Sequence, residues 1–283
     1  MIYVTGGTGF TGRFVVDALL AAGETCRCLV RDRTMARRIL PSSVDLVEGC
    51  LTGFSSLPGL SEADAVVHVA PIAIAGSRAR VSADTGVERV LYFSSTWSVS
   101  SVRTPESEAV TAGEEIVMEQ DIEWTIFRPT MIFGSGDRNV SRLGKWIRSH
   151  RFVPILDGGH RLVQPVFVED VAQAVADAIP RRSTHGGVYE IAGPEPMTYS
   201  RMVDRIAEIE ERTVAKLYLP GSLCETAARS FSAATGRRAF RDRILRMRED
   251  RAFSIDRASE DFGFAPRSFV EGLTAMRRLE LQA

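Results

Sequence analysis

Three glycines spaced three apart, Gly6, Gly9 and Gly12 in VTGGTGFTGRFV, are the first residues whose type and spacing carry chemistry. Gly6 permits a tight turn, Gly9 lets the backbone approach a pyrophosphate, and Gly12 lets the next helix pack closely, with its N-terminus facing the phosphates. The motif follows the apolar run MIYVT and opens an amphipathic stretch, which is the strand-to-helix setting this chemistry needs. A dinucleotide is the expected ligand. The second strand chooses which one, because it ends LVRDR and places Arg31 and Arg33 where a ribose 2'-phosphate would sit. NADP(H) is expected over NAD(H), with Asp32 between the two arginines still within reach of a ribose hydroxyl.

A second set of chemical groups lies in FSSTWSVSSVRTPESEAVTAGEE, residues 93–115, where Ser94, Ser95 and Thr96 follow a strand on the ligand side of an open α/β sheet. A hydroxyl near neutral pH is a poor proton donor, but it can hydrogen-bond a carbonyl oxygen and hold it. Ser95 and Thr96 are therefore assigned positioning, not acid catalysis. The five tyrosines are Tyr3, Tyr92, Tyr189, Tyr199 and Tyr218; the first three sit in strand patterns, Tyr199 at a helix start, and only Tyr218 has a plausible route to a cleft, with none of the five expected to replace the missing acid. Among the four histidines, His68 reads as a buried imidazole, His150 and His160 flank a pocket-rim loop, and His185 lies in a surface turn. Glu106 is a tempting acid, yet the carboxylates around it read as favourable charges at a helix N-terminus. No His pair has metal-ligand spacing, and no metal is expected.

Short apolar runs alternating with amphipathic stretches must position these groups. MIYVT, CRCLVR, VDLVEG, ADAVVHVA, ERVLYFSS, EWTIFRP and GVYEIAG read as strands, with helices over 10–23, 105–120, 139–149 and 169–179. The expected fold class is α/β, a Rossmann doubly wound parallel sheet with a smaller, mainly helical C-terminal substrate lobe. The domains follow: 1–195 binds NADP with a pocket-forming loop over 130–165, and 196–283 is the substrate lobe. Within the loop, FVPILDGGHRLVQP carries no strand expectation. Between Ala70 and Arg89 lie only 18 residues, room for a helix of barely two turns.

Composition sets outer bounds. A net charge of -1 gives no argument for nucleic acid or membrane partners, and the first strand begins at Ile2, so a cytoplasmic protein is expected. All but two of the 35 basic residues are arginines, leaving Lys145 and Lys216 as the sole lysines. Cys26, Cys28, Cys50 and Cys224 read as small buried hydrophobes.

TGxxGxxG at this place, with HVA, FSST, WTIFRPTMIFG, PVFVEDVAQAV, YEIAGPEPMTY and FGFAPRSFVEGL, resembles the NAD(P)-dependent epimerase/dehydratase (NmrA-like) branch of the short-chain dehydrogenase/reductases and its complex-I-subunit-like relatives. The resemblance implies that Gly6, Thr8, Gly9, Phe10 and Thr11 hold the pyrophosphate, Arg31 the 2'-phosphate, and Val69 and Ala70 the adenosine side. It puts Ser94, Pro129 and Met131 near the nicotinamide. The departures are informative: Cys50 stands where an Asp is usual, the stunted crossover leaves a monomer or a non-standard dimer, and the family's YxxxK falls on Glu106 and Val110.

With that Tyr–Lys pair missing, the proton or charge stabilisation must come from substrate or water. A quinone or an aryl ketone with a neighbouring phenol meets that need, and a simple sugar ketone does not. Among atypical reductases the chain looks like angucyclinone-type ketoreductases, tailoring enzymes of aromatic polyketide antibiotic biosynthesis, which implies a small aromatic substrate. Trp97, Met131, Ile132, Phe133, Trp146, Phe152 and Ile155 are the pocket candidates, LYLPGSLCETAARSFSAATGRRAF a candidate lid, and Arg237, Arg238, Arg241 and Arg243 a candidate anion site. A non-catalytic NADP(H) sensor or assembly protein, or a nucleotide-sugar epimerase/dehydratase with a displaced acid, are the competing readings.

Overall fold

The computed structural model describes residues 1–51, 57–75, 86–235, 242 and 244–282. The chain opens β1 (Ile2–Thr5), α1 (Phe10–Ala21), β2 (Cys26–Val30), α2 (Arg33–Ala36), β3 (Asp45–Glu48), β4 (Ala65–His68), α3 (Ile72–Ala75) and β5 (Arg89–Phe93). It continues with α4 (Pro105–Met118), β6 (Glu123–Pro129), β7 (Ile132–Phe133), α5 (Val140–Ser149), β8 (Phe152–Leu156), β9 (Leu162–Val163), β10 (Val166–Phe167) and α6 (Val168–Ala178). The last elements are β11 (Gly187–Ile191), β12 (Met197–Thr198), α7 (Tyr199–Ile209), β13 (Ala215–Leu219), α8 (Gly221–Thr235), α9 (Asp256–Phe262) and α10 (Phe269–Gln282).

Seven strands form one sheet in the order β11-β6-β5-β4-β1-β2-β3, every pair parallel. The order reverses beside β1, so the C-terminal ends of β1 and β4 flank the crevice where such sheets bind ligands. Period two divides the strands between the faces. Ile2, Val4, Val67, Leu91 and Phe127 pack under α1 and α6, while Tyr3, Val66, Val90, Tyr92 and Ile126 meet Ile72 and Val117 on the other side. Each fully buried aliphatic or aromatic side chain of this kind contributes about 1.5–3 kcal/mol. Gly113 lets α4 close on α3, since a Cβ there would lie 2.7 Å from the Ile72 carbonyl oxygen. Only the first turn of the short crossover, α3, falls within the described residues.

A separate core of Phe133, Ile147, Val153, Ile155, Phe167, Met202, Ile206 and Phe269 supports the lobe. Here the structure corrects the loop expected over FVPILDGGHRLVQP, because β8 and β9 lie within it. Val153 and Ile155 are buried while Phe152 and Pro154 are exposed, a two-residue period. Pro154 disguises the strand, and β8's partner lies far along the chain: β13 pairs with it in parallel from Ala215↔Phe152 to Leu219↔Leu156. The lobe therefore draws chain from both sides of residue 195. The described part of residues 199–282 is mostly helical, broken by β13 and its connections and by the irregular stretches 250–255 and 263–268.

Candidate active site

Two clefts open at the ligand edge of the sheet. The first, about 550 Å³, is walled by the glycine loop, the ends of β2 and β3, and the segment after β4. Gly6 has φ +76 and a Cβ on it would meet the Ala70 amide nitrogen at 2.8 Å; a Cβ on Gly12 would be driven into the Gly6 carbonyl. The loop closes with Gly9 N–H donating to the Gly6 oxygen at 3.0 Å. Gly9 is the N-cap of α1, no side chain caps that helix, and its first turn holds no acid. Its free N–H groups and positive dipole end thus face the cleft, the arrangement that receives a phosphate. These features fit a dinucleotide.

Gly6, Thr8, Gly9, Phe10, Thr11, Arg31, Val69 and Ala70 line this cleft together, and Cys50 lines it as well. Cys50 and Cys224 are half-buried and Cys26 and Cys28 fully buried, so the expectation of four buried thiols holds for the strand pair alone. Burial pushes the Cys28 thiol up to about 12 and that of Cys26 to about 11. Asp32 accepts the Met35 N–H at 3.0 Å as N-cap of α2 and does not line the cleft. Arg33 is exposed in the first turn of α2 and does not line the cleft. Under the loop, the His68 Nδ1 lies 2.8 Å from the Thr5 hydroxyl, and burial pulls the imidazole down to about 4. It is a neutral structural base.

The second cleft, about 440 Å³, brings together Ser95, Thr96, Trp97, Pro129 and Met131 with Tyr199 and residues of α5 and the segment 246–251. Thr96 is 6% exposed. Ser94 stands apart from both linings: its hydroxyl donates to Glu114, whose carboxylate also takes Arg128 Nε at 3.0 Å and Nη2 at 2.6 Å. Ser94 thus anchors β5 to α4. The segment after β5 is held from the lobe, since Glu249 accepts Ser100 Oγ at 2.7 Å, Ser101 N at 2.8 Å, Ser101 Oγ at 2.6 Å and Val102 N at 3.1 Å. Neighbouring backbone is fastened too, with Arg251 N–H donating to the Leu162 oxygen at 2.9 Å and Gln164 clasping Phe253 N at 2.7 Å.

Several expectations change here. The tyrosine of this cleft is Tyr199, while Tyr218 is 52% exposed on β13 and lines neither cleft. Sequence pattern favoured Tyr218 because nothing local shows that β9–β12 pairing brings the start of α7 inward. Burial raises the Tyr199 phenol, so it stays protonated and is a weaker acid than free tyrosine. Among the aromatic candidates only Trp97 lines the cleft, joined by Met131. Phe133 and Ile155 are core, and Trp146 and Phe152 are 39% and 45% exposed. His150 stacks on Trp146 with ring centroids 3.8 Å apart, away from both clefts. Glu106 is exposed on the first turn of α4, as its helix-start reading expects. Arg237, Arg238, Arg241 and Arg243 lie outside the described residues. The arginines that do line the cleft were missed: Arg138, Arg142, Arg161, Arg246 and Arg251. Among the described residues no group of His, Cys, Asp or Glu could hold a metal ion, and no helix is long and apolar enough to cross a membrane.

The model of the NAD dependent epimerase/dehydratase family matches residues 2–92. Over that span the chain resembles this family. The match stops at the end of β5, so it covers the cofactor cleft and leaves out the residues of the second one. Along a longer stretch, the chain is 27% identical over 252 residues to the mitochondrial NADH dehydrogenase (ubiquinone) 1 alpha subcomplex subunit 9 of Arabidopsis thaliana, covering 81% of this chain and 63% of that protein. The chain thus spans less than two thirds of that relative's length. It is 23% identical over 320 residues to the 4-hydroxy-2-methyl-3-oxo-4-farnesyl-3,4-dihydroquinoline-1-oxide ketoreductase of Stigmatella aurantiaca, covering 98% and 95%. Its fold is that of the Citrobacter sp. triphenylmethane reductase complexed with NADP(H), with TM-score 0.75 and 16% identity over 97% and 99% of the chains.

Proposed function

We propose that the protein is an NADPH-dependent ketoreductase acting on a carbonyl of a polycyclic aromatic or quinone-like substrate. One observation carries the reading: the positions of the usual Tyr and Lys hold Glu106 and Val110, neither of which lines a cleft, while Ser95 and Thr96 do. Hydroxyls in that place can orient a carbonyl oxygen and have no proton to spare at neutral pH. The relatives support this reading, since the names of two of them are those of reductases of ring-bearing compounds, one complexed with NADP(H).

In this proposal the glycine loop and the open N-terminus of α1 hold the pyrophosphate, with Thr8, Phe10 and Thr11 around it. Arg31 meets the 2'-phosphate and is the ground for preferring NADP(H), and Val69 and Ala70 flank the adenosine. Pro129 and Met131 border the substrate beside the nicotinamide. A bound nicotinamide supplies the hydride. Ser95 and Thr96 hydrogen-bond the carbonyl oxygen so that its carbon faces that hydride, and Trp97 and Met131 border the ring system. As charge develops on the oxygen, the ring system of the substrate spreads it and a neighbouring phenol or a water returns the proton.

Following NADPH consumption with quinones, hydroxylated aryl ketones and UDP-sugars tests this directly. Turnover on the first two classes is expected, and Ser95→Ala or Thr96→Ala should lower kcat by about tenfold without abolishing it. Turnover confined to UDP-sugars would replace the reading with a nucleotide-sugar enzyme. Tight NADPH binding with no turnover anywhere would defeat it in favour of a cofactor-binding assembly protein, a reading to which the likeness to the Arabidopsis NADH dehydrogenase subunit lends support.

A further inference from the structure

The second cleft is strongly cationic, and its charge is only partly balanced. Arg138, Arg142, Arg161, Arg246 and Arg251 line it, and no Asp or Glu is among the lining residues. The carboxylates beside it divide their oxygens between these arginines and other groups. Asp137 takes the Asn139 and Ser141 N–H groups and the Ser141 hydroxyl, capping α5. Glu249 accepts from Ser100, Ser101 and Val102 and makes a long ion pair with Arg246 at 3.8 Å, beyond hydrogen-bond reach. Asp250 accepts from Leu162 N–H at 2.9 Å and touches Arg161 at 3.3 Å.

Arg246 is the unusual member. It is 6% exposed, its guanidinium carbon lies 3.6 Å from the centre of the Trp97 ring, and its Nε is buried without a hydrogen-bond partner, as is that of Arg251. Burial and then the charge of Arg251 pull the Arg246 guanidinium down to about 10. Arg251 is lowered by burial in turn, with Glu249 acting against it. Two partly desolvated like charges in one cleft are costly unless an anion joins them. The segment carrying them is pinned at residues 249, 250, 251 and 253, so the guanidiniums cannot simply swing into water.

We propose that this cleft binds a carboxylate or phosphate monoester carried by an aromatic substrate, with Arg246 and Arg251 pairing with the acidic group and the ring lying beside Trp97 and Met131. The planar forks of arginine match the two oxygens of such a group, and its charge fills the site that the carboxylates of the protein leave open. This rests on the reductase reading and narrows it: the compound reduced is an aromatic keto acid or its phosphorylated counterpart, not a neutral polycycle.

The test is calorimetric titration of the full-length protein, saturated with NADPH, with naphthoate, naphthyl phosphate and neutral acetonaphthone, beside turnover of a carboxylated quinone and its methyl ester. The acids should bind at least about tenfold tighter than the ketone, the scale of one charge-assisted pair, and the tighter acid identifies the group. Arg251→Gln and Arg246→Gln should erase the preference for acids, while Arg246→Lys should keep part of it. Equal binding of acid and ketone, or glutamine variants that retain the preference, would overturn the subsite even if neutral quinones turn over. Selective binding of the acids with no turnover of any ketone would keep the subsite and sink the reductase reading instead.

Discussion

Both clefts are built for anions, and they achieve this by opposite means. The first uses backbone: an uncapped helix end and glycines that leave room, all within residues 6–12. The second uses side chains, arginines gathered from α5, the loop after β8 and the segment 246–251. Each also buries a nitrogen base. His68 beneath the first cleft surrenders its charge, with a pKa near 4, whereas Arg246 in the second keeps its charge at about 10. A helix dipole needs no compensation when empty, because water reaches the loop. A buried guanidinium whose carboxylate partner stands too far off to hydrogen-bond does, which makes the second cleft the one whose character depends on its ligand.

The largest effect that would break this comparison comes from the loop. Gly12→Ala forces a Cβ into the Gly6 carbonyl and to within 2.8 Å of the Gly7 Cα, so NADPH affinity should fall on the order of a hundredfold, read by fluorescence titration with circular dichroism as the folding control. Unchanged affinity would mean that the backbone cradle is not the phosphate site. Next, Arg31→Ala should cost NADPH about ten- to a hundredfold and leave NADH within about twofold; an equal loss for both would remove the case for the 2'-phosphate.

Acid stability sharpens the contrast between the two buried bases. The unfolded chain protonates His68 near 6.5 and the folded one near 4, so stability is full above the first value and is lost as pH falls toward the second, by on the order of 3 kcal/mol. In His68→Gln the melting temperature should decline less between those pH values; identical profiles would show that His68 is not the group responsible. The smallest change expected is from Tyr199→Phe, with kcat within about threefold of the parent. A loss of about a hundredfold or more, typical of removing a general acid, would make Tyr199 the proton donor and end the reading in which substrate or water provides it.

The sheet was legible because its signals are local. Short apolar runs at strand length, such as Ile2–Thr5, and the glycine spacing each lie within a dozen residues. What misled was whatever depended on a distant partner. Pro154 hid β8 until β13 supplied its ladder. Ser94 looked like its neighbours Ser95 and Thr96, yet Glu114 and Arg128 turn it away from both clefts. Arg33 has the same type as Arg31, but the start of α2 carries it outside the cofactor cleft.

By itself, then, the sequence determined the parallel sheet, the glycine loop and Arg31 just past the end of β2, since these follow from neighbours in the chain. Tertiary structure decided which tyrosine and which arginines meet Ser95 and Thr96. Residues 95–97, 138–142, 199 and 246–251 share one cleft only after β9–β12 pairing and the Glu249 anchor close the lobe onto the sheet. Charge balance in such a place depends on which carboxylates are already engaged elsewhere, and spacing along a chain does not record that.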